Sequence, residues 1–233
     1  MYVNTTGIVL REVTYKDSSK ILTVLTSGEG KLTVSAHGAH RKNSKLAAVT
    51  GLLVFSEMTL LRKKERWTMT EARSIEQFIG LRDDIKLLAL GSYIAELTEA
   101  VADEDSPSPD LLPLCLNALY ALSENIKSPE YVKPAFELRL MAISGFEPLL
   151  NKQNTTSSSS LEDGVIKLSG GALKAADYIL NCEAKKLFSF KLSNEALKEL
   201  SRKTENYLLA HLDRTFRTLD YYHKIYSKKT EIT

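Results

Sequence analysis

The chain has 233 residues, 43% of them apolar, with 31 Lys and Arg against 29 Asp and Glu. That is long for one domain and comfortable for two, with enough apolar material for ordinary globular cores, and no apolar run reaches the length of a membrane span. The net charge of +2 conceals a pattern: residues 1–80 carry +5, residues 81–150 carry −7 and residues 151–233 carry +4.

Basic ends around an acidic middle point to a polyanion surface built from the two ends, although ordinary variation of solvated charge is an equal account of the last segment. Cys115 and Cys182 stand far apart in apolar helical contexts and read as buried free thiols, which fits a reducing cytoplasm. The start, Met1-Tyr2-Val3-Asn4-Thr5, lacks the basic and apolar regions of a signal peptide, so a cytoplasmic protein is expected.

Thr5 to about Ser74 reads as β structure. A first strand carries Ile8-Val9-Leu10 and ends near Tyr15, and Lys16-Asp17-Ser18-Ser19 is a turn cluster. Ile21 to Thr26 has the β-branched composition of a buried strand, and Ser27-Gly28-Glu29-Gly30 closes a hairpin. Leu32 to Ala36 alternates as a third strand. A basic loop follows, His37-Gly38-Ala39-His40-Arg41-Lys42-Asn43-Ser44-Lys45, with no acid in its nine residues. Leu52 to Leu61 is a fourth strand, Arg62-Lys63-Lys64-Glu65-Arg66 a turn, and Trp67 to Ala72 a fifth strand. Five short strands without a helical crossover predict a small closed barrel, either an OB-fold or an SH3-like barrel.

From Ile85 the spacing becomes helical, through Leu88, Leu90, Tyr93, Ile94 and Leu97. Asp103 to Pro109 reads as an acidic, Pro-rich loop and Leu111 to Ile126 as a second helix. A third helix ends near Gly145, and either Ser128-Pro129 or Pro134 marks its start. Residues 151–163 are low-complexity and expected to be a flexible loop. A short strand at Val165–Leu168 precedes helices at about 172–182, 193–200 and 203–219. On the last of these, Lys203, Arg214 and Arg217, with Lys224 beyond, oppose an apolar face.

Catalytic motifs are missing. There is no Gly-x-x-x-x-Gly-Lys-Ser/Thr phosphate cradle and no Gly-x-Gly-x-x-Gly. His37 and His40 have no acids or cysteines beside them to complete a metal shell. A non-catalytic binding protein is therefore expected. Single-stranded nucleic acid is bound by a cationic groove with aromatics that stack on bases. The candidates are Lys16 and Lys20 near the first turn, His37, Arg41, Lys42 and Lys45 in the basic loop, and Arg62, Lys63, Lys64 and Arg66 before strand five. Trp67 is either a stacking residue or core, while Phe55 reads as core. A protein–protein adaptor and an RNA-binding barrel are the other classes open to this pattern.

The run Gly7-Ile8-Val9-Leu10-Arg11, then Tyr15 to Thr26, Gly30-Lys31-Leu32, Ala36-His37-Gly38-Ala39 and Arg41 to Leu46, resembles the opening of the RecO recombination mediators. Phe136-Glu137-Leu138-Arg139-Leu140 with Gly145-Phe146-Glu147-Pro148, and Gly170-Gly171-Ala172-Leu173, resemble later family segments. The resemblance implies an α+β protein with an OB-fold over residues 1–80 and a helical domain over 81–233. It further implies binding of single- and double-stranded DNA, annealing of complementary strands, and engagement of the acidic C-terminal tail of the single-strand-binding protein. Work with RecR to load RecA, at the nucleoid and not at a membrane, is implied as well. Lys133 and Arg139 are candidate tail contacts. Many family members bind zinc through two Cys-x-x-Cys pairs. The matching region, about residues 148–180, has no cysteine here, so neither a metal nor another cofactor is expected.

Overall fold

Five strands form an N-terminal barrel in the computed structural model, which describes residues 1–16, 18–41, 43–152 and 164–227. They are β1 (Tyr2–Tyr15), β2 (Ser19–Thr26), β3 (Gly30–Ala36), β4 (Phe55–Lys63) and β5 (Arg66–Glu76). The strand order is β1-β2-β3-β5-β4, and β4 pairs back onto β1 to close the barrel. Every pairing is antiparallel except β3 with β5, which meet in parallel at Val34–Trp67 and Ser35–Thr68. Five strands closed in this order make an OB-fold, one of the two barrels the sequence left open.

Strand alternation explains both faces of the barrel wall. Val9, Leu22, Val24, Leu32, Val34, Met58, Leu60, Trp67 and Met69 point inward and fill the interior. Ile8, Leu10 and Leu25 point outward and join a second core shared with the helices. β2 is thus apolar on both faces, which is why its sequence shows no clean alternation.

The helices are α1 (Ile85–Val101), α2 (Leu111–Ser123), α3 (Pro129–Ile143), α4 (Gly170–Asn181), α5 (Asn194–Leu212) and α6 (Arg217–Ser227). Asp84 caps α1 by accepting from the Lys86 amide at 2.8 Å. The link to the barrel is tight: the Lys31 amide donates to the Asp103 carbonyl at 3.1 Å, and the Asp105 amide donates to the Lys31 carbonyl at 3.3 Å. Gly30, at φ +71°, permits this crossing, because a Cβ there would lie 2.5 Å from the Ser106 carbonyl oxygen.

Several boundaries differ from expectation. β4 starts at Phe55 and not at Leu52, because Gly51–Val54 turn with Leu53 at φ +65°. The 62–66 turn shrinks to Lys64 and Glu65, since Arg62, Lys63 and Arg66 remain in the ladder. α2 ends at Ser123, and α3 starts at Pro129 with Pro134 inside it. The expected helix 193–200 and the first part of the expected helix 203–219 are continuous as far as Leu212, because the buried line Leu197, Leu200, Thr204, Tyr207, Leu208 is unbroken. Asp213, at φ +45°, ends it, and α6 follows. β6 (Leu149–Lys152) pairs in parallel with β7 (Val165–Leu168), so Asn151 and Lys152 belong to a strand. The remainder of the expected loop, 153–163, lies outside the described residues. No helix among the described residues is long and apolar enough to cross a membrane.

Candidate nucleic-acid interface

One outward row crosses four strands, Val13–Ile21–Ser35–Thr68, each residue paired to the next. Tyr15 and Ser19 pair in the row beyond it. Arg66 shares the outward side of β5 with Thr68 by alternation, and Lys63 stands directly across from Arg66. The lower part of this face meets α1, where Glu99 binds Arg11 at 2.8 Å and takes the Thr23 hydroxyl at 3.4 Å while the Arg11 side chain stays 57% exposed. The upper part is open, with Val13 and Tyr15 exposed.

Two loops flank the open part. The turn after β1 and the basic loop are tied together, because the His40 amide donates to the Ser18 carbonyl at 3.1 Å and the His40 ring meets the Thr14 hydroxyl at 3.0 Å. Lys16, His37, Arg41 and Lys45 are therefore grouped and exposed, while Lys42 lies outside the described residues. The β4–β5 turn presents Lys63, Lys64 and Arg66, all exposed. Lys16 and Lys64 occupy left-handed conformations, φ +56° and +55°. Such positions favour glycine, and an ordinary side chain there costs about 1–2 kcal/mol.

Three candidates leave the set. Trp67 is 4% exposed and belongs to the barrel interior, so its ring is core and cannot stack on a base. Arg62 points the same way and lies over that ring at 5.1 Å, near Glu65 at 4.0 Å. Lys20 shares the inward side of β2 with Leu22; it pairs with Glu12 and donates to the Thr50 carbonyl at 3.3 Å. Tyr15, not among the candidates, is the aromatic the surface offers: 48% exposed, with the Lys16 ammonium 5.3 Å from its ring centre. Its signal was its parity with Arg11 and Val13 beyond the stretch where β4 pairs β1.

Lys133 and Arg139 are also structural. Lys133 is 3% exposed and bridges Glu137 at 2.7 Å and Glu205 at 2.5 Å. Burial lowers its pKa, but the two carboxylates outweigh that and hold it above the ordinary lysine value. Burial likewise pushes Glu137 up, since it shares its one cation with Glu205. Glu205 is opposed by its own desolvation, yet hydrogen bonds and charge from His223 and Lys133 bring it down to about 2. Arg139 donates to the Cys182 carbonyl at 2.7 Å and touches the Cys182 sulfur at 3.3 Å. Lys133 is thus spent on its two carboxylates, and Arg139 is held by Cys182 through its Nη2.

Comparison with known proteins accords with this architecture. Residues 1–78 match the family described as Recombination protein O N terminal, and residues 82–220 match Recombination protein O C terminal. A protein named DNA repair protein RecO from Acetivibrio thermocellus is 32% identical, over 94% of this chain and 96% of its own length. The chain belongs to the RecO family of DNA repair proteins. RecO from Caldicellulosiruptor bescii is 37% identical over 62% of this chain and 59% of that protein. RecO from Alkaliphilus metalliredigens is 28% identical over 97% of this chain and the whole of that protein.

The zinc of many RecO-family members does not fit the residues present. Zinc takes thiolates, yet burial pushes the Cys115 thiol up to about 12, against a weak opposing bond to Thr98. Cys182 packs against Arg139 at the far end of α4. Among the described residues no group of three or more His, Cys, Asp or Glu gathers to hold a metal. The β6–β7 pair and Glu199, which accepts from the Ser169 amide at 2.9 Å, brace that region in this RecO-family chain.

Proposed function

We propose that a single DNA strand crosses the open outer face of the barrel, with its phosphates on the two cation groups and a base on Tyr15. The observation that carries this is an exposed aromatic on an uncovered sheet face, bracketed by exposed cations from two loops. Annealing fits the same surface. Bringing complementary strands together needs charge neutralisation and local concentration, not covalent chemistry. Duplex DNA would bind through the same phosphate contacts.

A groove of about 400 Å³ between α3, α5 and α6 suits the acidic tail of the single-strand-binding protein. Leu197, Tyr222 and Tyr226 line it with the exposed Lys198 and Arg202, and its carboxylates are engaged, Glu130 by the Tyr226 hydroxyl and Glu205 by Lys133. Family membership supports RecR as a partner and loading of RecA at the nucleoid as the outcome. The test is fluorescence anisotropy with single-stranded DNA, matched RNA and duplex across a salt series. Affinity for the single strand should fall log-linearly with salt, each contacted phosphate contributing about 0.7 to the slope. A flat slope overturns the reading, and much tighter RNA binding replaces DNA with RNA as the ligand.

A further inference from the structure

A cleft of about 710 Å³ opens where the barrel meets α1 and the start of α6. Leu10, Leu52 and Ala100 give it an apolar floor. Four cations reach it: Arg11 and Lys31 from the barrel, Arg214 and Arg217 from the break between α5 and α6. Its three acids are already engaged. Glu12 pairs with Lys20, and Glu99 with Arg11 at 2.8 Å. Glu96 accepts from the Thr218 amide at 3.1 Å and from its hydroxyl at 2.5 Å, at the positive end of α6.

Arg214 and Arg217 differ from the other cleft charges. Both are exposed, and neither forms an ion pair with a described acid. Arg214 instead lies over the Phe216 ring at 4.9 Å, which fixes its direction without neutralising it. Arg11 shares the outward side of β1 with Val13 and Tyr15, so the cleft continues the open face of the barrel.

We propose that this cleft is a second phosphate-binding site, in which Arg214 and Arg217 hold the backbone of a nucleic-acid strand that continues off the barrel face, with a sugar or base over Leu10 and Leu52. The proposal rests on the barrel-face reading and extends it from one site to a track that passes the junction of barrel and helices. An acidic peptide would use the arginines but gains nothing from continuity with Tyr15. Guanidinium groups suit phosphate because their planar fork donates two parallel hydrogen bonds.

The experiment compares the full chain with Arg214→Gln/Arg217→Gln and with Arg214→Lys/Arg217→Lys, each first checked for an unchanged melting temperature. Binding of labelled oligothymidylates, one short enough for the barrel face alone and one several nucleotides longer, is followed across a salt series. The glutamine pair should lower the slope for the long strand by about 1.4, two phosphates at about 0.7 each. It should leave the short strand unchanged, and the lysine pair should restore most of the slope. A long-strand slope that does not change overturns the cleft while leaving the barrel face intact. Equal losses for both lengths also overturn it, as does a loss confined to a labelled oligoglutamate peptide. Absence of salt-dependent binding by the unaltered chain would sink the barrel-face reading and the cleft together.

Discussion

Tyr15 sits at the end of β1 with 48% of its surface exposed, beside the Lys16 ammonium and outside both apolar cores. Stacking of one base on such a ring contributes about 1–3 kcal/mol. Tyr15→Ala should weaken single-strand binding by that amount in anisotropy titrations and leave the melting temperature within a degree or two, whereas Tyr15→Phe should bind as the unaltered chain. Lys133 is the opposite kind of residue. It neutralises the fully buried Glu137, so Lys133→Ala should cost about 3–5 kcal/mol in chemical denaturation. Lys133→Met combined with Glu137→Leu should recover much of that loss, because no buried charge is then left unpaired. Equal destabilisation by the double variant would mean that the site needs polarity and not merely charge balance.

Two elements carry the electrostatics. The loop between β3 and β4 is held to the β1–β2 turn through His40, so its cations sit beside the open face. Changing Arg41, Lys42 and Lys45 together to Ala should lower affinity and flatten the salt slope by about 2, at about 0.7 per phosphate lost. An unaltered slope would remove this loop from the interface.

α6 is held to α5 partly by His223 against Glu205 at 3.0 Å. Glu205 falls to about 2 in the folded chain from its ordinary 4.5. A depressed carboxylate adds stability that is complete above its unfolded value and disappears as pH falls through the folded value. Melting temperature should therefore drop between about pH 4.5 and pH 2, and Glu205→Gln should flatten that drop. An identical acid profile for the variant would assign the loss to other carboxylates.

The barrel and the helices share one core. Ile8, Leu10 and Leu25 leave the barrel wall and pack with residues of α1, α2 and α3. At roughly 25 cal/mol per Å² of apolar surface, exposing such a face is costly. A fragment of residues 1–80 should aggregate or bind an apolar dye, and the full chain should melt in a single calorimetric transition. Two resolved transitions would show that barrel and helices fold independently. The Lys31 contacts to Asp103 and Asp105 bind the two parts further, and they do so at the edge of the cleft.

Much of this was legible in the residues. Period-two strands, glycine turns and the change to helical spacing at Ile85 placed five strands before the helices, since local alternation follows directly from backbone geometry. The charge runs located both cationic loops for the same reason: neighbours in a turn stay neighbours in space. Local pattern could not say which cations remain free. Lys20 and Arg62 look like Lys16 and Lys63 in sequence, yet their parity in β2 and β4 turns the first pair inward, whereas Lys16 stands in the turn beyond β1 and Lys63 faces outward. Trp67, Lys133 and Arg139 were likewise settled by partners distant in the chain, a barrel interior, Glu205 and Cys182. The cleft at Arg214 and Arg217 exists only because barrel and helices close against each other. Composition and spacing thus determined five strands followed by helices and the sign of their surfaces, whereas long-range pairing closed the strands as an OB-fold and decided which charges and rings face solvent, because closure, burial and pairing are properties of the assembled chain.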